Sequence, residues 1–287
     1  MSIALTALVS RRMRRAAWAL CALLVGGGFL TARPASGDPP KPADATTYVL
    51  KRTYKAGDVD RYKLDYVVTM NIPQLGGDTE VVMKMTMKET TKEVKDDGTV
   101  ITEDVYEEGK VSVAGMEQDI TDSLPKLIVT HNKSKLDVKA EGGNDMFVDQ
   151  MKQMIQSMYE QRDAIMPTKP VKVGDTWKVE MKVPSVGGVE IKMKGDATLV
   201  GTEMIGGKKT LKVKYVLDAT EEQSNTKMHS ETLSNVEIET GKALLTSSTG
   251  NGEVMGNKMT SKATITLKSG EDKKPEGDKQ ASPEKKP

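Results

Sequence analysis

The 287-residue chain has one cysteine, few aromatic side chains and no excess of either charge. Because Cys21 lies near the N-terminus, the rest of the chain has no disulfide, no thiolate nucleophile and no cysteine-ligated metal site. The 42 basic and 41 acidic residues nearly balance, so the composition predicts no nucleic acid partner. With 37% hydrophobic residues, the composition also argues against wholesale disorder.

Familiar catalytic and metal-binding motifs are lacking as well. The sequence contains no Gly-x-Ser-x-Gly, no His-Glu-x-x-His and no glycine-rich phosphate loop. His131 and His229 are far apart, without a second ligand at metal-binding spacing, and are expected at the surface or on an edge strand. Asp96 and Asp97 belong to a predicted turn, where aspartate serves backbone geometry. The sequence therefore predicts a protein that is not an enzyme and holds no metal or other cofactor.

The N-terminal region has the features of an export signal. Four arginines between residues 11 and 15 precede an uncharged run, residues 16–30, which is shorter than the about 20 apolar residues that cross a bilayer. Small residues follow, so residues 1–37 are predicted to be a signal peptide, with cleavage after Gly37 or after Ala32. The true start is either Met1 or Met13. We expect an exported protein, periplasmic or secreted, with no integral membrane span after leader cleavage.

Composition divides the remaining chain into three parts. Residues 38–45 contain three prolines and are predicted to be an extended linker. Residues 269–287 are rich in lysine, acidic residues and proline but have no large apolar side chain, which predicts a disordered tail. The β-rich folded domain is expected to span residues 46–268.

Alternating apolar and polar residues dominate this domain and predict β-strands with one buried face. The first predicted strand has apolar side chains at every second position: Tyr62, Leu64, Tyr66, Val68, Met70 and Ile72. A second strand alternates through Met83, Met85 and Met87, and the Asp96-Asp97-Gly98 turn leads to a third. These segments predict an antiparallel meander over residues 46–140.

The same arrangement recurs later in the chain. Lys55-Ala56-Gly57-Asp58 precedes the first strand, and Lys172-Val173-Gly174-Asp175 precedes a strand of a second predicted meander, residues 170–268. Between them, residues 144–165 have apolar side chains three and four positions apart, with Asn144 or Asp145 as the cap and Pro167 as the stop, which predicts an amphipathic helix. We therefore predict a mainly β, α+β fold in which two antiparallel meanders form a curved sheet or half-barrel packed on one amphipathic helix.

Methionine makes up much of the predicted interior. The residues expected to face a ligand lie on the second strand and on the helix: Met83, Met85, Met87, Phe147, Met151, Met154, Ile155 and Met158. Methionine interiors adapt to irregular apolar guests, although a merely compliant core has the same composition. Thioethers also select Cu(I), but alternate residues of a strand are ~6.6 Å apart, which favours core packing for Met83, Met85 and Met87.

The segment Lys169-Pro170-Val171-Lys172-Val173-Gly174-Asp175-Thr176-Trp177 follows the helix and precedes a strand. With the strands at residues 55–66 and 83–87, it resembles an uncharacterised family of secreted bacterial proteins, a domain of unknown function, over most of residues 46–268. The resemblance implies a turn at Gly174–Asp175 and an anchor at Trp177, and assigns no catalytic residue. The layout is also similar in architecture to lipoprotein-carrier half-barrels of the bacterial envelope, which implies ligand binding without naming a ligand.

The sequence supports two hypotheses about function. The first is an exported, non-enzymatic protein that binds an apolar or amphiphilic ligand, such as an apolar small molecule or a lipid, between sheet and helix. The second is a structural or protein-interaction module of the bacterial cell envelope, with an envelope protein as its partner. A cavity or a bound lipid would favour the first hypothesis, and a crosslinked protein partner would favour the second.

Overall fold

The computed structural model describes residues 46–72, 77–132, 136–144, most of 148–159, and 165–184, 190–221, 225–254 and 256–268. The predicted signal peptide, linker and tail lie outside these residues. Within them, 12 strands form one antiparallel sheet. The strands are β1 (Val59–Ile72), β2 (Gly77–Val94), β3 (Val100–Val113), β4 (Met116–Asp119), β5 (Lys126–His131), β6 (Leu136–Glu141), β7 (Thr176–Pro184), β8 (Glu190–Ile205), β9 (Lys208–Glu221), β10 (Thr226–Glu237), β11 (Ala243–Val254) and β12 (Asn257–Lys268).

The order of strands across the sheet is β6-β5-β3-β2-β1-β12-β11-β10-β9-β8-β7, and β4 pairs with β3 beside this row. The first meander starts at the central strand β1 and runs outward to the edge strand β6. The chain then crosses to the opposite edge, at β7, and the second meander returns until β12 pairs with β1. The connection between β6 and β7 must therefore span the width of the sheet.

One face of β1 is buried, as its alternating pattern predicts. Tyr66, Val68 and Met70 are buried, whereas the intervening residues are only partly covered. Strand β2 continues this face, because Met83 lies opposite Tyr66 and Val81 lies opposite Val68. A shift of one residue would expose the whole apolar set, so burial fixes the register of these strands. We call the buried side of the sheet the covered face.

The predicted helix lies in the connection that crosses the covered face. Residues 148, 149, 151–153, 155–157 and 159 are helical, and we call them the connecting helix. The amide of Val148 donates to the carbonyl of Asn144 at 3.1 Å, so Asn144 holds the position of the predicted cap. Met151 and Ile155 are buried in the same core as the strands. No helix in the described ranges is long and apolar enough to cross a membrane.

The core is continuous across both meanders. It contains Val68 and Leu127 from the first meander, Leu199 and Val213 from the second, and Ile155 from the connecting helix. The predicted fold class is therefore confirmed: the chain is mainly antiparallel β, with an open, curved sheet packed on a helix.

The two meanders begin with the same turn. In each, the glycine has a positive φ, 88° at Gly57 and 96° at Gly174, and the following aspartate enters the strand. Each turn is joined to the neighbouring strand by a reciprocal pair of backbone hydrogen bonds. These bonds are Gly57 N to Thr91 O (2.8 Å), Thr91 N to Asp58 O (2.9 Å), Gly174 N to Leu199 O (2.7 Å) and Leu199 N to Asp175 O (3.0 Å). The sequence repeat is thus also a repeat of local structure.

Residues 46–54, which we call the N-terminal strap, tie the two meanders together. Tyr48 pairs through its backbone with Val171, and both side chains are buried. Further along the strap, the amide of Thr53 donates to the carbonyl of Thr240 at 2.9 Å, in the loop between β10 and β11. The strap therefore contacts the second meander at two places before the chain enters β1.

The close contact between strap and loop predicts that Gly241 cannot be replaced. Its φ is +66°, and a Cβ atom there would lie 2.2 Å from the carbonyl oxygen of Lys51. We expect Gly241→Ala to lower the free energy of unfolding by more than the ~1–2 kcal/mol that a left-handed conformation alone costs, because the strap must also move. Urea denaturation measures this loss.

Gly206→Ala is the matched control for this substitution. Gly206 also has a positive φ, +58°, but nothing lies within 4 Å of the position that a Cβ atom would take there. The difference between the two variants therefore isolates the clash with the strap. Equal losses of stability would contradict the packing of the strap against this loop.

Candidate functional site: a buried charged cluster on the covered face

Three carboxylates lie side by side across the covered face. Asp60 of β1 is directly opposite Glu89 of β2, and Glu89 is directly opposite Asp104 of β3. Each continues an apolar alternation: Asp60 precedes Tyr62 by two residues, Asp104 precedes Tyr106 by two, and Glu89 follows Met87 by two. Asp60 is 6% exposed and Asp104 is 1% exposed. Burying three neighbouring carboxylates is unfavourable unless cations or hydrogen-bond donors compensate for the lost hydration.

Arg52 of the N-terminal strap supplies part of that compensation. Its Nη2 donates to Asp60 Oδ2 at 3.1 Å and to Glu89 Oε1 at 3.2 Å. The guanidinium also lies over the ring of Tyr54, 4.8 Å from its centroid. Burial alone would lower the pKa of Arg52, but Tyr62 and Glu89 raise the pKa above its ordinary value, so the side chain stays charged.

Lys242 supplies the second cation, from the loop between β10 and β11. Its Nζ donates to Asp60 Oδ1 at 2.8 Å and to Asp58 Oδ2 at 3.3 Å. Asp60 therefore joins a residue of the strap to a residue of the second meander. Because Arg52, Asp60 and Lys242 are all mostly buried, these contacts are screened by water far less than ion pairs on the surface.

Aromatic rings continue the cluster toward the connecting helix. The ring of His131, at the end of β5, lies 5.2 Å from the ring of Tyr54 and 4.7 Å from that of Tyr159. The Tyr159 hydroxyl, on the connecting helix, is 3.5 Å from Thr102 Oγ1 of β3. Strap, sheet and helix thus meet in one polar and aromatic group, which we call the charged cluster.

The expectation that both histidines lie at the surface or on an edge strand was wrong for His131, which lies on β5, between β6 and β3. It is 8% exposed, because it shares the covered face of β5 with Leu127 and Val129. His229 is exposed on the opposite face of β10, where its Nδ1 lies 2.7 Å from Asp218 Oδ1.

The predicted role of Asp97 in a turn is confirmed, since its Oδ1 accepts a hydrogen bond from the Thr99 amide at 2.9 Å within the turn.

Asp104 is the least compensated member of the charged cluster. Thr102 forms a hydrogen bond with its carboxyl group, but Asp104 Oδ1 has no hydrogen-bond partner in the described part of the chain. Burial raises the pKa of Asp104 well above its ordinary value, and the neighbouring Glu89 carboxylate raises the pKa further. Arg52 Nη1 is a second buried atom for which the described residues provide no partner.

The structure brings several of the predicted ligand-facing residues into one core. Met83 and Met85 are buried on the same face of β2 as Glu89, and Met87 is partly buried between them and the charged cluster. Met151 and Ile155 join the same core from the connecting helix. The other three predicted residues, Phe147, Met154 and Met158, lie outside the described residues.

No group of three or more His, Cys, Asp or Glu side chains in the described ranges is arranged to hold a metal ion.

The resemblance implies that Trp177 is an anchor at the entry to a strand. In the structure, Trp177 Nε1 donates a hydrogen bond to the carbonyl of Ile165 at 2.9 Å. This bond ties the start of β7 to the end of the connection that carries the helix.

Sequence reasoning did not single out Arg52, Asp60, Glu89, Asp104 or Lys242. A signal for the carboxylates was nevertheless present, because Asp60 and Glu89 occupy apolar-face positions of alternating strands. A charge at such a position must find a partner or remain uncompensated in the interior. The partners could not be identified in advance, since Lys242 is far from Asp60 in the sequence.

We expect the loss of Arg52 to be strongly destabilising. Arg52→Met would leave Glu89 and Asp60 buried with one cation fewer, and breaking a buried ion pair in this way costs ~3–5 kcal/mol. Arg61→Met is the matched control, because Arg61 pairs with Glu107 on the exposed face and such pairs contribute ~0–1 kcal/mol. Urea unfolding of both variants checks the prediction, which similar losses would contradict.

Asp104 should make stability depend on pH. The pKa of Asp104 is higher in the folded state than in the unfolded state, where it is about 3.9. The contribution of Asp104 to the free energy of unfolding is therefore complete below about pH 3.9 and is lost as the pH rises toward the folded-state pKa. Asp104→Asn abolishes this loss. The stability of the variant relative to the parent protein should therefore increase with pH above about 4, by at most ~1.4 kcal/mol per pH unit.

Urea unfolding of both proteins at a series of pH values from 4 to 8 measures this difference. Glu107→Gln, an exposed carboxylate on the same strand, is the control and should show a much smaller pH dependence. A difference between Asp104→Asn and the parent that stays constant across this range would show that Asp104 titrates normally.

No protein-family model matches the sequence, and no curated protein matches it either. Among solved structures, the chain is similar to a mutant of Rh. blastica porin, with a TM-score of 0.29 and 8% identity over 74% of this chain and 99% of that one. It is also similar to DynF from the dynemicin biosynthesis pathway of Micromonospora chersina, with a TM-score of 0.22 and 9% identity over 84% of this chain and 94% of that one. Likenesses this distant carry no argument about function, which must be inferred from the side chains themselves.

Proposed function

We propose that this chain is an exported, non-enzymatic protein that binds an apolar or amphiphilic molecule between the covered face and the connecting helix. One observation carries the proposal: the covered face of β2 changes from apolar to charged along its length. Val81, Met83, Met85 and Met87 follow one another on this face, and Glu89 comes next. An amphiphile has the same order of parts, an apolar chain followed by a polar headgroup.

The neighbouring strands follow the same gradient, with one irregularity in the pairing of β2 and β3 between Thr86 and Met87. On β1, the residues opposite Met83 and Met85 are Tyr66 and Leu64, and Asp60 lies opposite Glu89. On β3, Val111 lies opposite Met83 and Asp104 lies opposite Glu89. Three adjacent strands therefore present one surface that is apolar along most of its length and charged at one end. Small-molecule sites typically combine apolar walls with a few well-placed polar groups.

Methionine suits such a surface because its side chain is flexible and polarizable. A row of methionines can repack around guests of different shape, whereas branched side chains hold a fixed surface. The opposing helix contributes Met151 and Ile155 to the same core. A ligand held here would lie between two adaptable walls.

The location is part of the proposal. A basic segment followed by a short apolar run and small residues, as at residues 11–37, is typical of a secretory leader. We propose that the folded domain acts in the periplasm or outside the cell, where an apolar molecule must be shielded from water during transfer or storage. Shielding requires binding alone and no chemical step.

Native mass spectrometry of protein purified from its own host tests this function. We expect an additional mass that organic extraction removes and identifies as an apolar or amphiphilic molecule. A protein that carries no such molecule and does not bind added dodecanol would contradict the proposal. If it were also crosslinked to an envelope protein in intact cells, an interaction module would be favoured instead.

A pair of methionine substitutions locates the site. Met87 is partly buried at the junction of the apolar surface and the charged cluster, and Met87→Trp should weaken dodecanol binding about tenfold or more because the larger ring would occupy the position of the proposed ligand. Met204→Trp is the control, because Met204 is 61% exposed on β8. Equal affinities of the two variants, measured by titration calorimetry, would place the ligand elsewhere.

A further inference from the structure

We propose that the charged cluster receives a protonated amine, so that the preferred ligand is an amphiphile with an ammonium headgroup. This inference rests on the proposed function and names the headgroup that the polar end of the site selects. In the bound state, the ammonium group lies against Asp104, and the apolar chain extends along Met87, Met85 and Met83.

The balance of charge in the cluster favours a cation. Among the described residues, the cluster holds four acidic side chains and two basic ones: Asp58, Asp60, Glu89 and Asp104 against Arg52 and Lys242. Both cations are engaged by the first three carboxylates. No salt bridge to Asp104 is present in the described part of the chain, although Asp104 lies directly opposite Glu89. A further positive charge beside Asp104 would favour its ionised form and pair with it.

The hydrogen bonding of Asp104 also favours a positively charged ligand. Its side chain is 1% exposed, and Oδ1 has no partner among the described residues. A buried acceptor without a donor is unfavourable, and a charged N–H donor is among the strongest partners it can gain. An ammonium group brings both the donor and the opposite charge to this oxygen.

The aromatic rings of the charged cluster also suit a cation. Tyr54, His131 and Tyr159 form a contiguous aromatic group, and the faces of such rings attract positive charge. The cluster already contains one example, the Arg52 guanidinium over Tyr54. The Tyr159 hydroxyl is 3.5 Å from Thr102 Oγ1, which is at the outer limit of a hydrogen bond. A bound ammonium group can therefore compete with one of these hydroxyls for the other.

An anionic headgroup fits the same place poorly. Arg52 Nη1 has no partner among the described residues, but an anion bound there would lie beside the Asp60 and Glu89 carboxylates that Arg52 Nη2 holds. Like charges at such distances in a poorly solvated site repel strongly. The cluster therefore discriminates by charge, through attraction of the amine and repulsion of the acid.

The test compares three ligands with the same twelve-carbon chain: dodecylamine, dodecanol and dodecanoate, each kept below the concentration at which it aggregates. Titration calorimetry of the folded protein at neutral pH gives the three affinities. We expect the amine to bind about tenfold to a hundredfold more tightly than the alcohol, as for a charged hydrogen bond, and the acid to bind most weakly.

Asp104→Asn should abolish the preference for the amine, so that dodecylamine binds this variant no more tightly than dodecanol does. This variant keeps the shape of the side chain, and circular dichroism verifies that it is folded. Glu107→Gln removes a carboxylate from the exposed face of the same strand and should leave all three affinities unchanged.

The outcomes separate the two proposals. If dodecanol and dodecylamine bind equally, or dodecanoate binds best, the ammonium site is overturned while the amphiphile-binding function stands. If none of the three ligands binds, the proposed function fails and the ammonium site fails with it. If Asp104→Asn retains the preference for the amine, another group recognises the headgroup and the assignment to Asp104 is wrong.

Discussion

The pairing of β1 with β12 makes a single sheet out of two meanders. The first strand of the domain and its last strand are hydrogen-bonded over the register from Arg61 opposite Lys268 to Met70 opposite Met259. Because the two meanders meet at the centre, the chain between them must run from one edge of the sheet to the other. The connecting helix and the N-terminal strap therefore lie where they can cover one face, and the core extends without interruption across both halves.

The charged cluster sits at the junction that this pairing creates. Asp60 is near the start of β1, where Arg52 arrives from the strap and Lys242 arrives from the second meander. Apolar side chains in the same positions would often stabilise a fold as well or better, because buried ion pairs must overcome the loss of hydration. A polar group retained at that cost in stability, at the end of an apolar surface, is the arrangement on which the proposed binding of an amphiphile rests.

Much of the fold could be predicted because burial imposes a visible period on the sequence. Alternation identified the covered face of β1 and of β2, and the three- and four-residue spacing around Met151 and Ile155 identified the helix. The repeated Lys-x-Gly-Asp turns indicated two related meanders, and the glycines at 57 and 174 adopt the positive φ that such turns require. The prediction failed for His131 because it did not take account of Leu127 and Val129, the alternating apolar residues that share the covered face of β5 with it.

The sequence by itself determined which residues form strands, which face of each strand is apolar and where the helix lies, since these depend on neighbours within a few positions along the chain. Only the tertiary structure decided that β12 returns to β1 and that Arg52, Asp60 and Lys242 meet. Lys242 and Asp60, for example, are 182 positions apart, and the partner of a buried charge depends on the path of the whole chain. Local periodicity therefore revealed the apolar surface, whereas the charged end of the site emerged only from the folded topology.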